Sequence, residues 1–177
     1  MYNYPFIRLI RAFLLSLFSE KVTVKDKTTI SMRCSIGDID PYWEMNNGRY
    51  QQLADIGRFD HGFRTGFFKK ALKNKISFTV VGTATKYRYR IPFGKKFTMT
   101  TKIIYVDEKW TYYYHEFIYN GRITSTILAR TGMVKNGKLV RSEEASKTFN
   151  LNIPKVELPL WVADWIKSDE NNPAFVK

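Results

Sequence analysis

The chain has 177 residues, enough to bury one substantial core and too few to require a second domain. Hydrophobic residues make up 44% and aromatics 16%, with 6 prolines and 10 glycines, which excludes disordered, collagen-like and low-complexity classes. The 29 Lys and Arg against 16 Asp and Glu give a formal charge of +13. That excess predicts attraction to a polyanion, whether nucleic acid, an anionic membrane surface or a phosphate-bearing small molecule, unless the lysines are simply solvated surface.

Residues 1–20 read as an amphipathic N-terminal helix, because Arg8, Arg11, Ser16 and Ser19 form one polar stripe on an otherwise apolar run. The run is short and interrupted beside the roughly 20 apolar residues a bilayer span needs, and no small-x-small cleavage site follows Ser19. Two placements stay open. The helix packs on its own domain or a dimer mate, or residues 1–19 lie in a membrane interface with the arginines toward anionic headgroups.

From Lys21 the period changes to two, with Val22, Val24, Ile30, Met32, Cys34 and Ile36 on one face, predicting a strand pair or one long bent strand. Cys34 is the single cysteine, so no internal disulfide or Cys/His metal cluster is expected. It reads as a core residue of a protein from a reducing, cytoplasmic setting, possible membrane contact aside. Asp38-Ile39-Asp40-Pro41 is turn chemistry. Asn46 or Asn47 is a suitable N-cap for the next helix, where Tyr50, Leu53, Ala54, Gly57 and His61 recur at spacings of three and four. Ala54 and Gly57 let that helix approach a sheet closely. Helical character continues to Leu72, with Gly62 and Gly66 as expected interruptions.

Strands are then predicted over 77–91, 97–106, 110–119 and 122–134, with turns at 92–94, 107–109, Asn120-Gly121 and Asn136-Gly137. Asn-Gly between two strand-like runs is the strongest hairpin signal in the chain, and such short connections make the strands antiparallel. An extended approach at Ile153-Pro154 leads to a closing helix over 158–167, and the last residues are expected to fray. The division is therefore 1–20, a principal domain over 21–150, and a C-terminal extension over 151–177 with a short helix. The class is α+β, an antiparallel sheet wrapped around one central helix.

The segment from Asp38 to Tyr50 resembles the hotdog acyl-CoA thioesterases, whose pattern runs Asp-x-Asp, four residues to a frequent His, then x-Asn-Asn-x-x-Tyr into the central helix. Asp55-Ile56-Gly57-Arg58, Arg64-Thr65-Gly66, Val80-Val81-Gly82, the run Tyr87 to Phe93, and Asp107-Glu108-Lys109-Trp110 are further matches to the branch containing thioesterase superfamily member six. The resemblance covers roughly residues 22–142. It implies a hotdog fold, hydrolysis of an acyl-CoA or acyl-carrier-protein thioester without metal or cofactor, and a homodimer or dimer of dimers.

In the 4-hydroxybenzoyl-CoA thioesterase branch the second Asp of Asp-x-Asp is the catalytic carboxylate, which maps onto Asp40. A backbone N–H seven residues later polarises the thioester carbonyl, which maps onto Asn47. Asn46 and Tyr50 complete the motif as candidate substrate contacts. Glu44 stands where the family usually has His, and an ionised carboxylate can only accept hydrogen bonds. Either Asp40 and Glu44 act as a carboxylate pair with one proton between them, or hydrolysis is lost and acyl or lipid binding at a membrane surface remains. The residues also have purely structural readings, Asp40 as a turn cap and Asn46 as a helix cap.

Lys86, Arg88 and Arg90 alternate, which predicts three cations on one strand face for the phosphates of coenzyme A, or an ordinary exposed face. Asp55 and Arg58 read as an ion pair along the helix. His61 and His115 read as packed residues. Nucleic-acid binding by the basic, Tyr-rich sheet ranks last, because no RNA-module motif accompanies it.

Overall fold

Asn120 and Gly121 have φ of 49° and 68°, and Asn136 and Gly137 have 51° and 75°. These are the left-handed pairs that close a two-residue hairpin. They join β4 (Trp110–Tyr119), β5 (Arg122–Lys135) and β6 (Lys138–Val140) into a meander. The computed structural model describes residues 4–150 and 156–172. The remaining strands are β1 (Thr28–Arg33), β2 (Ser77–Tyr87) and β3 (Lys96–Val106). All pairings are antiparallel in the order β1-β3-β4-β5-β2, with β6 on β5.

Helix α2 (Asn47–Arg64) lies in the cradle of this curled sheet. Its Leu53, Ala54 and Ile56 are buried with Met99, Phe117, Ile127 and Ala129 from the strands. The close approach centres on Gly57, where a Cβ would collide with Thr101 Oγ1 and lie 2.7 Å from Met99 Cε. α2 continues through Gly62, whose missing side chain makes room for the Phe68 ring. The break comes at Gly66 alone, with φ of 71°, before α3 (Phe67–Lys73).

Helix α1 (Phe6–Phe18) packs alongside α2, with Phe13 edge-on to Phe63 at 5.1 Å. On the sheet's opposite face α5 (Leu160–Glu170) covers Tyr112 and Leu128 with Val162 and Trp165. Arg130 joins this layer, lying 5.9 Å from the Trp110 ring and 5.2 Å from the Trp165 ring while pairing with Asp169.

Several expected boundaries move. Val22 and Val24 lie in no strand, because Asp26 closes a turn by accepting from the N–H and hydroxyl of Thr23, so only β1 forms before the Asp38 turn. The strand expected over 77–91 ends at Tyr87, where the N–H groups of Arg88 and Tyr89 both donate to Thr124 C=O and break the alternation. The sequence reading missed β6 and α4 (Ser142–Phe149), which buries Ala145 and Phe149 against Ala71, Ile76 and Met133. The Ile153-Pro154 approach and the chain's final residues lie outside the described residues.

Candidate functional site

Asp38 organises the turn that leads into α2. Its carboxylate is buried, accepts from the Ser35 N–H and hydroxyl and from Arg8, and pairs with Arg49 Nε at 3.3 Å. Its carbonyl accepts the Asn46 N–H at 2.8 Å. The first Asp of Asp-x-Asp is therefore a structural anchor, tied to both α1 and α2.

Asp40 begins a tight loop closed by its own N–H on the Glu44 carbonyl at 2.9 Å, with Trp43 N–H donating to the Asp40 carbonyl at 3.1 Å. Trp43 has φ of 59°, a conformation costly for a bulky residue. The loop is held against residues 91–93, since Met45 N–H donates to Ile91 C=O and Phe93 N–H to Trp43 C=O, both at 2.9 Å. Asp40 Oδ1 caps the turn by accepting the Tyr42 N–H at 2.9 Å, and Oδ2 takes no protein hydrogen bond among the described residues.

Asn46 is the N-cap of α2, its side chain accepting the Gly48 N–H at 2.9 Å. Asn47 is the first helical residue, and its N–H has no partner among the described residues. An unpaired amide at the positive end of a helix suits a developing oxyanion. The Asn47 carbonyl accepts the Tyr87 hydroxyl at 2.9 Å, tying the helix start to β2.

The half-buried Glu44 pairs with Arg90 at 3.8 Å, and no hydrogen bond joins its carboxylate to that of Asp40 among the described residues. Tyr50 is in the core, packed between Tyr87 at 5.2 Å and Phe117 at 4.9 Å, and burial raises its hydroxyl to about 12. The three expected cations are not one row. Lys86 and Arg88 border a shallow dish with Tyr89 and Tyr114, whereas Arg90 turns toward Glu44. The dish gains Arg122, a cation the sequence reading missed because it arrives from the far side of the Asn120-Gly121 hairpin.

Asp55 and Arg58 form the expected pair on α2. Arg58 also meets His115 Nε2 at 3.1 Å, and Thr101 Oγ1 lies 2.9 Å from His115 Nδ1. This network links residues 57 positions apart, beyond the reach of local spacing. Beside it a crevice of about 270 Å³ runs between α2, α3 and β2, lined by Phe59, Phe67, Phe68 and Phe78 with Asp55 and Arg58 at one end. His61 is buried, its Nε2 3.1 Å from the Asp26 carbonyl. Cys34 is buried too, its thiol pushed up to about 11 by burial, which makes it a core residue and no nucleophile. Among the described residues no group of three or more His, Cys, Asp or Glu could hold a metal ion.

An antiparallel sheet curled around one helix, with the carboxylate turn at that helix's N-terminus, defines the hotdog class, and solved structures share the arrangement. The probable thioesterase YbaW from Escherichia coli superposes with a TM-score of 0.61 at 21% identity, covering 69% of this chain and 94% of that one. The hypothetical protein SAV2348 from Staphylococcus aureus, solved in complex with CoA, gives 0.58 at 18% identity over 80% of this chain and 94% of that one. Residues 34–166 match the model of the Thioesterase-like superfamily, and the chain belongs to that family. Among curated relatives, Protein THEM6 of Danio rerio is 33% identical over 105 residues, 58% of this chain and 52% of the relative, so the match spans about half of that relative. Protein THEM6 of Drosophila melanogaster is 28% identical over 172 residues, 95% of this chain and 86% of the relative.

Proposed function

We propose that the chain hydrolyses the thioester bond of an acyl-CoA, with Asp40 as the carboxylate and the Asn47 N–H as the carbonyl's hydrogen-bond donor. The observation that carries this reading is one short turn that ends in an unpaired helix amide and holds a carboxylate with a free oxygen. The thioester oxygen accepts from Asn47. Asp40 takes a proton from water, the resulting hydroxide adds to the carbonyl carbon, and the tetrahedral intermediate expels the thiolate, which recovers the proton.

The Phe-lined crevice along α2 supports an apolar acyl chain, and Lys86, Arg88 and Arg122 support the phosphates of the CoA moiety. The CoA complex of SAV2348 agrees with such a substrate class. β2 is an open sheet edge bearing exposed Val80 and Val81, which favours a homodimer through that edge with the site at the subunit boundary. Light scattering that finds a monomer at micromolar concentration removes the dimer.

The experiment is an assay of purified protein on acyl-CoA thioesters from acetyl to palmitoyl, beside Asp40→Asn. Turnover in the wild type and a loss on the order of 10²-fold in the variant support the reading. Turnover equal in the two refutes the assignment of Asp40. A second reading, acyl binding without hydrolysis, is favoured by Glu44 replacing the family His and pairing with Arg90. Saturable acyl-CoA binding with no product across the whole series selects it.

A further inference from the structure

Arg8 and Ser16 from the polar stripe of α1 face the domain, while Arg11 stays exposed, an arrangement that turns much of the apolar side outward. Arg8 donates to the Asp38 carboxylate, to the Ser35 hydroxyl and to the Arg33 carbonyl, so it is spent on the fold and cannot meet headgroups. Ser16 is buried, with its hydroxyl on the Phe13 carbonyl at 2.6 Å, and Ala12 is buried beside it. The apolar side is left outward. Ile7 is 84% exposed and Phe18 90%, and Phe6, Ile10, Leu14, Leu15 and Leu17 are each more than half exposed. A continuous apolar strip of this kind marks a binding surface.

Charge selects the occupant. Between residues 11 and 33 stand Arg11, Lys21, Lys25, Lys27 and Arg33 against Glu20 and Asp26, five cations less two anions, a local excess of +3 with Arg8 left out. α1 itself carries no acidic residue, and Asp26 is engaged by Thr23. Arg11, Lys21, Lys25 and Lys27 are exposed, Arg11 on α1 itself and the three lysines in the segment that follows it. No described helix is long and apolar enough to cross a membrane. A 13-residue helix with an apolar outer face and flanking cations fits instead the boundary layer of a bilayer, its side chains about 5–10 Å deep and its cations at the phosphates.

We propose that the outward face of α1 docks the protein on an anionic bilayer surface, with the helix lying in the interface plane. Because Arg8 clamps α1 to Asp38, two residues before Asp40, docking also holds the Asp38 to Glu44 turn close to the bilayer. The proposal stands whether or not thioesters are hydrolysed.

The test is co-sedimentation of the full chain with phosphatidylcholine vesicles and with vesicles containing roughly one-third phosphatidylserine. The expected result is pelleting with the anionic vesicles, weakened by salt, and a loss of affinity of about tenfold or more in Ile7→Glu/Leu14→Glu. Both positions are exposed, so the circular dichroism melt should be unchanged. Should the glutamates lower it, Ile7→Ser/Phe18→Ser gives the same measurement at the two most exposed positions. A full chain that stays in the supernatant with anionic vesicles overturns the proposal. So does a double variant that pellets like the wild type. Unchanged pelleting combined with a dimer-to-monomer shift on light scattering assigns the strip to a second copy of this chain instead.

Discussion

Arg58 on the central helix donates a guanidinium hydrogen bond to Nε2 of His115 on β4, at 3.1 Å. A guanidinium has donors only, so Nε2 carries the lone pair and the ring proton sits on Nδ1, directed at Thr101 Oγ1 at 2.9 Å. His115 is thus neutral. Its value lies well below the ordinary imidazole range because of burial first, then the charges of Arg58 and His61.

Stability should therefore fall on mild acidification. In the unfolded chain His115 and His61 protonate near pH ~6.5, while in the fold both are held lower, His61 chiefly by burial. Below that pH the unfolded state binds protons the fold refuses, so this stability is present above about 6.5 and is lost as pH falls through it. The slope is up to about 1.4 kcal/mol per pH unit for each histidine. Asp55 and Asp60, both raised by burial, act in the opposite sense nearer the carboxylate range. Urea denaturation at pH ~7.5 and ~5.5 should show a lower midpoint in acid, with about half of the difference gone in His115→Gln. A midpoint independent of pH over that window contradicts a neutral buried His115.

Gly57→Ala should destabilise the fold although alanine is the better helix former. Helix propensity favours Ala by about 1 kcal/mol. The new Cβ would strike Thr101 Oγ1 and Met99 Cε, part of the layer that joins α2 to the sheet. Overpacking costs about 1–3 kcal/mol, and it also displaces the hydroxyl that His115 contacts. A net loss of about 1 kcal/mol or more by urea titration is expected. A gain would mean that α2 sits farther from β3.

The local signals were the legible ones. Asn46 followed by apolar residues at spacings of three and four gave the start and inner face of α2, and Asn120-Gly121 gave its hairpin. The end of β2 was not legible, because Lys86 to Arg90 alternate in sequence regardless of whether Arg88 and Tyr89 share one acceptor. At the site, motif order located Asp40, Glu44 and Asn47 on the turn and helix start. It could not reveal that Asp38 is neutralised by Arg8, 30 residues earlier, since any surface arginine reads alike in sequence. The partners of His115 were hidden for the same reason, and so was the inward turn of Arg8 and Ser16 on α1.

Trp165→Ala should loosen α5. The indole covers one side of Arg130, whose Nε is buried without a partner and whose charge is balanced by Asp169. Removing the ring leaves a void beside Gly82 and opens a buried cation to water. A loss of about 2–4 kcal/mol is expected. Limited proteolysis should then cut near α5 before the sheet. Wild-type resistance in the variant would show that α5 is held without Trp165, by contacts such as Val162 and the Asp169 pair with Arg130.

Glu44→His isolates the chemistry of the turn from its stability. The Glu44 to Arg90 pair spans 3.8 Å with side chains 32% and 70% exposed, so breaking it should cost under about 1 kcal/mol. The turn itself rests on backbone contacts, the Glu44 carbonyl accepting from Asp40 and Trp43 bonding to Phe93, and these survive any side chain at position 44. The substitution trades an acceptor-only carboxylate beside Asp40 for an imidazole that can donate while neutral. If Asp40 is the base, one fewer negative charge gives the leaving thiolate a less repulsive turn, and a side chain able to donate a hydrogen bond stands at position 44. Turnover of a suitable acyl-CoA should be preserved or increased, with the melting temperature unchanged and activity still dependent on Asp40 in Glu44→His/Asp40→Asn. An inactive wild type that gains turnover in Glu44→His selects acyl binding as the native role. A variant that folds normally but loses an activity present in the wild type assigns Glu44 itself a part in the reaction.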